Sequence, residues 1–429
     1  MRWPRLIQFT VVVCAASFVS GGCSSARISP GSTTGTTPSP TPPASTTAAY
    51  VYVTTLPTAA SSTYEIRAYA ADGSGQLAPL SGSPFNQSVA SVTASGGYLV
   101  ASTPSQPDIN SYKIGSNGTL TLASQLNYAQ QMGFQSSNDT TCSSAGGFIF
   151  DRSGQSMYAA VGNYDCSNNN AIASFAFNSS NGSLSYLGNV NIGYESSTAI
   201  SVLGNNSYAY SALFDACMYG GISSFARESN GLLNDSPATI TPEFGPSAPS
   251  GATSSGVSQP IYRPGFTAAD TTNHVAMAEY PCFAVGGVDD TQVQLATYTA
   301  DENGNLTTAD TSATMPTTTI NPQRLEMSPS GTLLAVGGTG GLQVFHFNGA
   351  NPITSFTGML TTDTISQILW DNSNHLYALS QFQGGPGSDF GSGKLHVFTI
   401  TDTGASEAPG SPYTIAEPMS LAVQPESSN

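Results

Sequence analysis

LATYTADENGNLT, residues 295–307, is an alternating apolar/polar run, a polar turn around Asn303-Gly304, and the start of a returning run. Alternation with period two marks a strand with one face buried, and Asn-Gly between two such runs marks a hairpin. The same phrase recurs along the chain: IRAYAADGSGQLAPL at 66–80, INSYKIGSNGTLTL at 109–122, IASFAFNSSNGSLSY at 172–186 and ISSFARESNGLL at 222–233, with weaker copies at 342–347 and 395–400. Seven copies, their first residues 43 to 73 positions apart, make this a repeat protein.

Upstream of most copies lies a second hairpin, as in FIFDRSGQSMYAAV (148–161), RLEMSPSGTLLAV (324–336) and ILWDNSNHLYAL (368–379). Its turn pairs include Gly96-Gly97, Ser153-Gly154, Asn205-Asn206, Thr272-Asn273, Ser330-Gly331 and Ser373-Asn374. Most are residue types that accept positive φ. Two hairpins per repeat give a four-stranded antiparallel unit, and seven units of variable loop length predict an all-β, seven-bladed β-propeller. AYVYVT at 49–54 matches a second strand and MSLAVQP at 419–425 a first strand. The N- and C-terminal strands are therefore expected to pair and close the ring, removing two sheet edges.

The organisation outside the repeats is read in the same way. Residues 1–22 carry Arg2 and Arg5, an apolar run and then small residues, the pattern of a secretory signal. Ser20-Gly21-Gly22-Cys23 resembles a lipobox with Ser20 where an aliphatic residue is usual, so Cys23 is the expected lipidation site. Ordinary cleavage into a secreted protein is the alternative. Residues 23–48 are Ser/Thr/Pro-rich and read as a tether, and 49–429 as the propeller. The expected address is the bacterial cell envelope, with the membrane reached through the anchor.

Charged residues make up only 8% of the chain, and the formal charge is −16. Lys113 and Lys394 are the only lysines. Nucleic acid is excluded as a partner, because backbone binding needs clustered cations. No cofactor or metal is implied. Asp301-x-Asn303-x-Asn305 looks like a calcium loop, but the same turn recurs without the acids at Ser116-Asn117-Gly118 and Ser180-Asn181-Gly182. A closed ring of this kind is expected to be a monomer.

Beyond Cys14 and Cys23, four cysteines remain: Cys142, Cys166, Cys217 and Cys282. Three pairings are possible. On the blade map all four fall on the face carrying the long loops, which favours Cys142–Cys166 and Cys217–Cys282; reduced thiols are the alternative. The same face holds Phe244, Tyr262, Tyr280, Phe283 and Phe390, candidates for a ligand-binding surface. The four histidines, His274, His346, His375 and His396, accompany no nucleophile motif and are expected at surface or edge positions.

The repeat, with YVYVT at its start and GSPF (82–85) and GSPY (410–413) after blades, resembles the seven-bladed lactonase-like propellers, including YVTN-repeat surface proteins and the propeller type of 6-phosphogluconolactonase. The resemblance implies the fold and, where the motifs persist, lactone opening. Arg263, Asp270 and Glu279 fall at the intervals of the lactonase motif, but Pro264 replaces its histidine, Asp270-Thr271 its Asp-Gly, and Ala278 its Asn. A second motif position reads Gly338-Thr339 instead of Asn-Arg, and an earlier histidine falls near Ala145-Gly146. Lactone opening needs a base and a cation for the oxyanion. Arg263 and Glu279 are the candidates for those roles if they converge on the channel. The sequence therefore favours a non-catalytic, lipid-anchored propeller that binds a glycan, peptide or protein, with a lactone hydrolase as the alternative.

Overall fold

The computed structural model describes residues 47–57, 63–104, 106–132, 145–161, 170–193, 197–213, 221–239, 262–281, 292–318, 320–381 and 391–426. All of them lie in the compact unit Ser45–Asn429. The signal segment, Cys23 and nearly all of the tether lie outside the described residues, as do Cys142, Cys166, Cys217, Cys282, Phe244, Phe283 and Phe390.

Seven antiparallel sheets follow one another. Blade one contains β1 (Thr47–Thr55), β2 (Glu65–Asp72) and β3 (Leu77–Pro79), with β4 (Phe85–Asn86) on its edge. Blade two is β5 (Val92–Ser95), β6 (Tyr98–Ser102), β7 (Asp108–Ile114) and β8 (Leu120–Asn127), followed by one helical turn, α1 (Ala129–Met132). Blade three is β9 (Ala145–Phe150), β10 (Ser156–Val161), β11 (Asn170–Asn178) and β12 (Ser183–Gly193). Blade four is β13 (Ser197–Val202), β14 (Tyr208–Leu213), β15 (Gly221–Arg227) and β16 (Leu233–Thr239). Blade five is β17 (Tyr262–Ala269), β18 (His274–Pro281), β19 (Val293–Ala300) and β20 (Leu306–Thr307), with β21 (Thr317–Thr318) also on β19. Blade six is β22 (Pro322–Met327), β23 (Leu333–Gly338), β24 (Gly341–Asn348) and β25 (Asn351–Ser355). Blade seven is β26 (Ile365–Trp370), β27 (His375–Ser380), β28 (Ser392–Thr401) and β29 (Gly404–Glu407), with β30 (Tyr413–Ala416) on β28. The last strand, β31 (Pro418–Pro425), pairs antiparallel with β1 at Val51↔Val423 and completes blade one. The expected seven-bladed ring and its closure are both present.

The apolar residues are not gathered into one centre. They form seven clusters, one between each pair of neighbouring blades, from Tyr52 and Leu99 between blades one and two round to Val397 and Val423 between blades seven and one. Each blade buries both faces against its neighbours, as in other repeat architectures where contacts are nearest-neighbour only.

The repeated Asn-Gly turn has a second role in this packing. Gly118, Gly182, Gly231 and Gly304 all adopt positive φ, as the tight outer hairpin requires. Three of their carbonyls also accept across the blade interface: Tyr52 Oη donates to Gly118 O (2.8 Å), Tyr158 Oη to Gly231 O (2.9 Å) and Tyr210 Oη to Gly304 O (2.9 Å). A second-strand tyrosine thus fastens its blade to the outer turn of the next. A Cβ at Gly304 would stand 2.5 Å from the Tyr208 ring. Asp301 serves the same turn: its carboxylate accepts from the backbone N–H of Asn303 and Asn305, both at 2.8 Å. Both GSP tripeptides hold a cis Ser-Pro bond, at Ser83-Pro84 and Ser411-Pro412.

Candidate functional site

The first strands β31, β5, β9, β13, β17, β22 and β26 stand innermost, and neighbours such as β13 and β17, β17 and β22, and β22 and β26 touch around the axis. They surround a central channel. One end carries the tight turns between first and second strands; the other carries the long connections. Charged side chains gather at both ends.

At the long-loop end, blade five places the two lactonase-type candidates. Arg263 and Glu279 lie on adjacent strands, but Arg263 pairs with Tyr280 and Glu279 pairs with Pro264. Cross-strand partners share a face, and neighbours along a strand do not. Arg263 accordingly stacks on the Tyr280 ring, its Cζ 5.2 Å from the ring centroid, on the side facing blade six. Glu279 points the other way. Its Oε1 accepts from Tyr298 Oη at 2.6 Å, in the cluster facing blade four. The structure does not bring the pair together.

Glu279 is 1% exposed. Burial pushes its carboxyl up to about 7, against the Tyr298 hydrogen bond and with help from nearby Asp310. The Tyr298 hydroxyl is driven upward by the same burial and by the acid beside it. Tyr262 and Tyr280 are also interior residues. Tyr262 Oη donates to Gln294 Oε1 (2.9 Å) and Tyr280 Oη to Pro322 O of blade six (2.8 Å). Both spend their hydroxyls on packing between and within blades, so they do not form part of an open surface here. Asp270, at the motif's third interval, sits at the opposite end of β17 and binds its own turn, taking Thr272 N (2.8 Å) and His274 Nδ1 (2.9 Å).

The equivalent turn of blade seven repeats that arrangement more deeply. His375 is 1% exposed, with Nδ1 2.8 Å from Asp371 Oδ2. This corrects the surface position expected for it: a turn carboxylate four residues earlier supplies the polar partner that lets the ring be buried. His396 is buried too, its two ring nitrogens each 3.0 Å from a carboxylate, Asp363 and Glu407.

At the tight-turn end is a group that the sequence patterns did not single out. Arg152, in the first turn of blade three, reaches across the channel to donate to Ala269 O of blade five (3.2 Å). Glu326 and Arg324, two residues apart on β22 of blade six, share the face opposite Leu325 and Met327. Both remain partly open to water while protein surrounds them. Trp370 of blade seven donates its indole N–H to the backbone carbonyl of Glu326 (3.3 Å). Burial pushes the Glu326 carboxyl up to about 7, and the Arg152 and Arg324 charges oppose the rise. The same burial draws both guanidiniums below their usual range, countered by Glu326 and, for Arg152, also by Asp270. The partners come from blades three and six, on opposite sides of the ring. The only signal in the sequence was the rarity of cations in an acidic chain. Among the described residues no group of three or more His, Cys, Asp or Glu side chains is placed to hold a metal ion.

No protein-family model matches the chain. No curated protein matches it in sequence. Solved structures do. A candidate 6-phosphogluconolactonase from Bacteroides uniformis superposes with a TM-score of 0.56 at 14% identity, covering 88% of this chain and 100% of the other. A second candidate 6-phosphogluconolactonase, from Bacteroides fragilis, gives 0.55 at 14% identity over 88% and 98%. The periplasmic gluconolactonase of Pseudomonas aeruginosa gives 0.55 at 14% identity, over 88% and 99%. The chain therefore has the fold of the lactonase-like seven-bladed propellers. At this identity the likeness speaks for architecture alone.

Proposed function

We propose that this chain is an exported, lipid-anchored propeller that binds an envelope or extracellular ligand, a glycan, peptide or protein, through its long-loop face and catalyses no reaction there. One observation supports the reading. The acid and cation standing at the lactonase intervals lie on opposite faces of blade five, and the acid is sealed under Tyr298. A base for water attack must reach the substrate by hydrogen bond or through one water. A carboxyl closed inside a blade interface meets neither condition. The lipobox-like segment at Cys23 and the Ser/Thr/Pro tether support export and anchoring.

The test uses the mature chain purified with Cys23→Ser, assayed on a panel of small lactones beside Glu279→Gln. Turnover equal in the two proteins, at the rate of buffer, is expected. A rate that Glu279→Gln lowers by orders of magnitude would replace this reading with lactone hydrolysis. Binding to a glycan and peptide array, lost when the Pro/Ser/Gly-rich stretch 240–261 or the Gly-rich stretch 382–390 is shortened, is the positive result. Export is checked separately by metabolic labelling with a fatty acid, which should mark the wild type and not Cys23→Ser.

A further inference from the structure

We infer that Asn303 is a modification site: of the five Asn-Gly pairs in the chain, it is the one this fold leaves free to deamidate and to pass into isoaspartate. The inference is independent of any ligand at the long-loop face.

The repeat supplies its own controls. In blades one to five the outer turn gives the backbone N–H that follows its glycine a side-chain acceptor, in one of two ways. In blades two, three and four the acceptor is the asparagine before the glycine. Asn117 Oδ1 takes Thr119 N (3.3 Å), Asn181 Oδ1 takes Ser183 N (2.9 Å) and Asn230 Oδ1 takes Leu232 N (2.8 Å). The turn of blade one has no asparagine. Asp72, three residues before the glycine, accepts instead, its Oδ1 3.1 Å from Gln76 N, and Ser74 stands at the asparagine's place. Blade five carries both devices, Asp301 and Asn303, and the carboxylate prevails. Its Oδ1 takes the N–H groups of Asn303 and Asn305, both at 2.8 Å. Among the described residues no hydrogen bond reaches the Asn303 side chain. An exposed amide with no role in its turn therefore stands beside a glycine. The remaining pair, Asn348-Gly349, is held by its other end, Nδ2 donating to Pro352 O at 2.7 Å.

Glycine lacks the Cβ that would shield its own amide nitrogen from the preceding side chain. The Gly304 nitrogen attacks Cγ of Asn303, its proton leaves with the Nδ2 group as ammonia, and a cyclic succinimide joins the two residues. Water then opens the ring at either carbonyl, giving aspartate or isoaspartate. The nucleophile is also the most loosely held of its kind: Gly304 N lies 3.1 Å from Asp301 O, against 2.8 Å for Gly118 N to Gly115 O, 2.7 Å for Gly182 N to Asn178 O and 2.9 Å for Gly231 N to Glu228 O. Isoaspartate carries the main chain through the former side chain and lengthens it by a methylene. Gly304 O, which accepts from Tyr210 Oη at 2.9 Å, and Glu302 O, which accepts from Tyr208 Oη at 3.2 Å, flank that insertion. Conversion therefore loosens the fastening of blade four to blade five.

The test is peptide mapping by mass spectrometry, with aspartyl and isoaspartyl peptides separated, after incubation of the mature chain in mildly alkaline buffer. In the folded protein Asn303 should convert about five- to tenfold faster than Asn117, Asn181 or Asn230, the rate equivalent of the hydrogen bond those side chains must first give up. In urea the pairs should convert at similar rates. Asp301→Ala returns the Asn305 N–H to Asn303 and should slow its conversion to that of Asn230. Asn303→Ser, the residue blade one has at this place, should leave the urea midpoint of fresh protein unchanged and abolish the loss of midpoint on ageing. Conversion of Asn303 no faster than that of Asn117 or Asn230 in the folded protein would overturn the inference. So would a lead for Asn303 that persists in urea or that Asp301→Ala leaves intact.

Discussion

Glu279 and Glu326 stand one blade apart, both have carboxyls pushed up to about 7 by burial, and they could hardly be used more differently. Glu279 is closed into the interface between blades four and five, with Tyr298 as its donor. Glu326 lies on the other face of its strand from Leu325 and Met327, is only half-buried, and feels the charges of Arg152 and Arg324. A raised proton affinity is thus no mark of function in itself. What separates the two carboxyls is access, set by which face of a strand each occupies.

The comparison makes graded predictions. The largest concerns Glu279. An acid whose folded-state affinity for its proton is raised from 4.5 to about 7 contributes stability below the lower value and loses it as pH climbs through the higher one. The domain should lose up to about 3 kcal/mol between pH 5 and pH 8 from this group alone. Urea midpoints should show that Glu279→Gln removes that slope; an unchanged slope would mean the carboxyl is not sealed. Next, Tyr298→Phe takes away the donor to Glu279. It should cost about 2 kcal/mol at pH 8, where the acceptor is charged, and less at pH 5.

Asp371 sharpens the contrast from the other side. Burial would push its carboxyl up as well, but His375, Ser373 and their backbone N–H groups outweigh it and hold the acid below the usual carboxylate range. Its stabilisation is present above that range and is lost as pH falls through the lowered value. Asp371→Asn should cost about 1–2 kcal/mol at pH 7 and flatten the acid limb of the stability profile. Glu326→Gln comes last. Its carboxyl is raised from 4.5 to about 7 like that of Glu279, so it too contributes stability at low pH that is lost as pH climbs through the higher value, but partial contact with water screens the loss to about 1 kcal/mol between pH 5 and pH 8, read from the same urea midpoints.

The fold was legible because a propeller writes itself seven times. Alternation located the strands, Asn-Gly the hairpins, and the unmatched strands at 49–54 and 419–425 the seam. The candidate site was less legible, for a reason of register. The interval from Arg263 to Glu279 fits the lactonase motif, yet the partner of Glu279 across the hairpin is Pro264. One residue of offset turns a side chain to the other face of a sheet, and β17 and β18 also shift register between Pro264 and Thr267. No count along the chain reveals this. The burial of His375 escaped for a related reason: an imidazole four residues after an aspartate in a turn can be satisfied locally, and polarity alone reads as exposure. Arg152 and Glu326 have no shared local pattern. Only closure of the ring brings a turn of blade three to a strand of blade six.

The seam also sets a timetable. Glu426 N–H donates to Ala48 O at 2.9 Å, so the first and last described strands end side by side. Blade one holds the first repeat to leave the ribosome, yet it lacks its inner strand until residues 418–425 have been made. An incomplete chain cannot close its ring, however many blades it already contains. This arrangement keeps the architecture open while the chain is being made and completes it only when the last strand arrives.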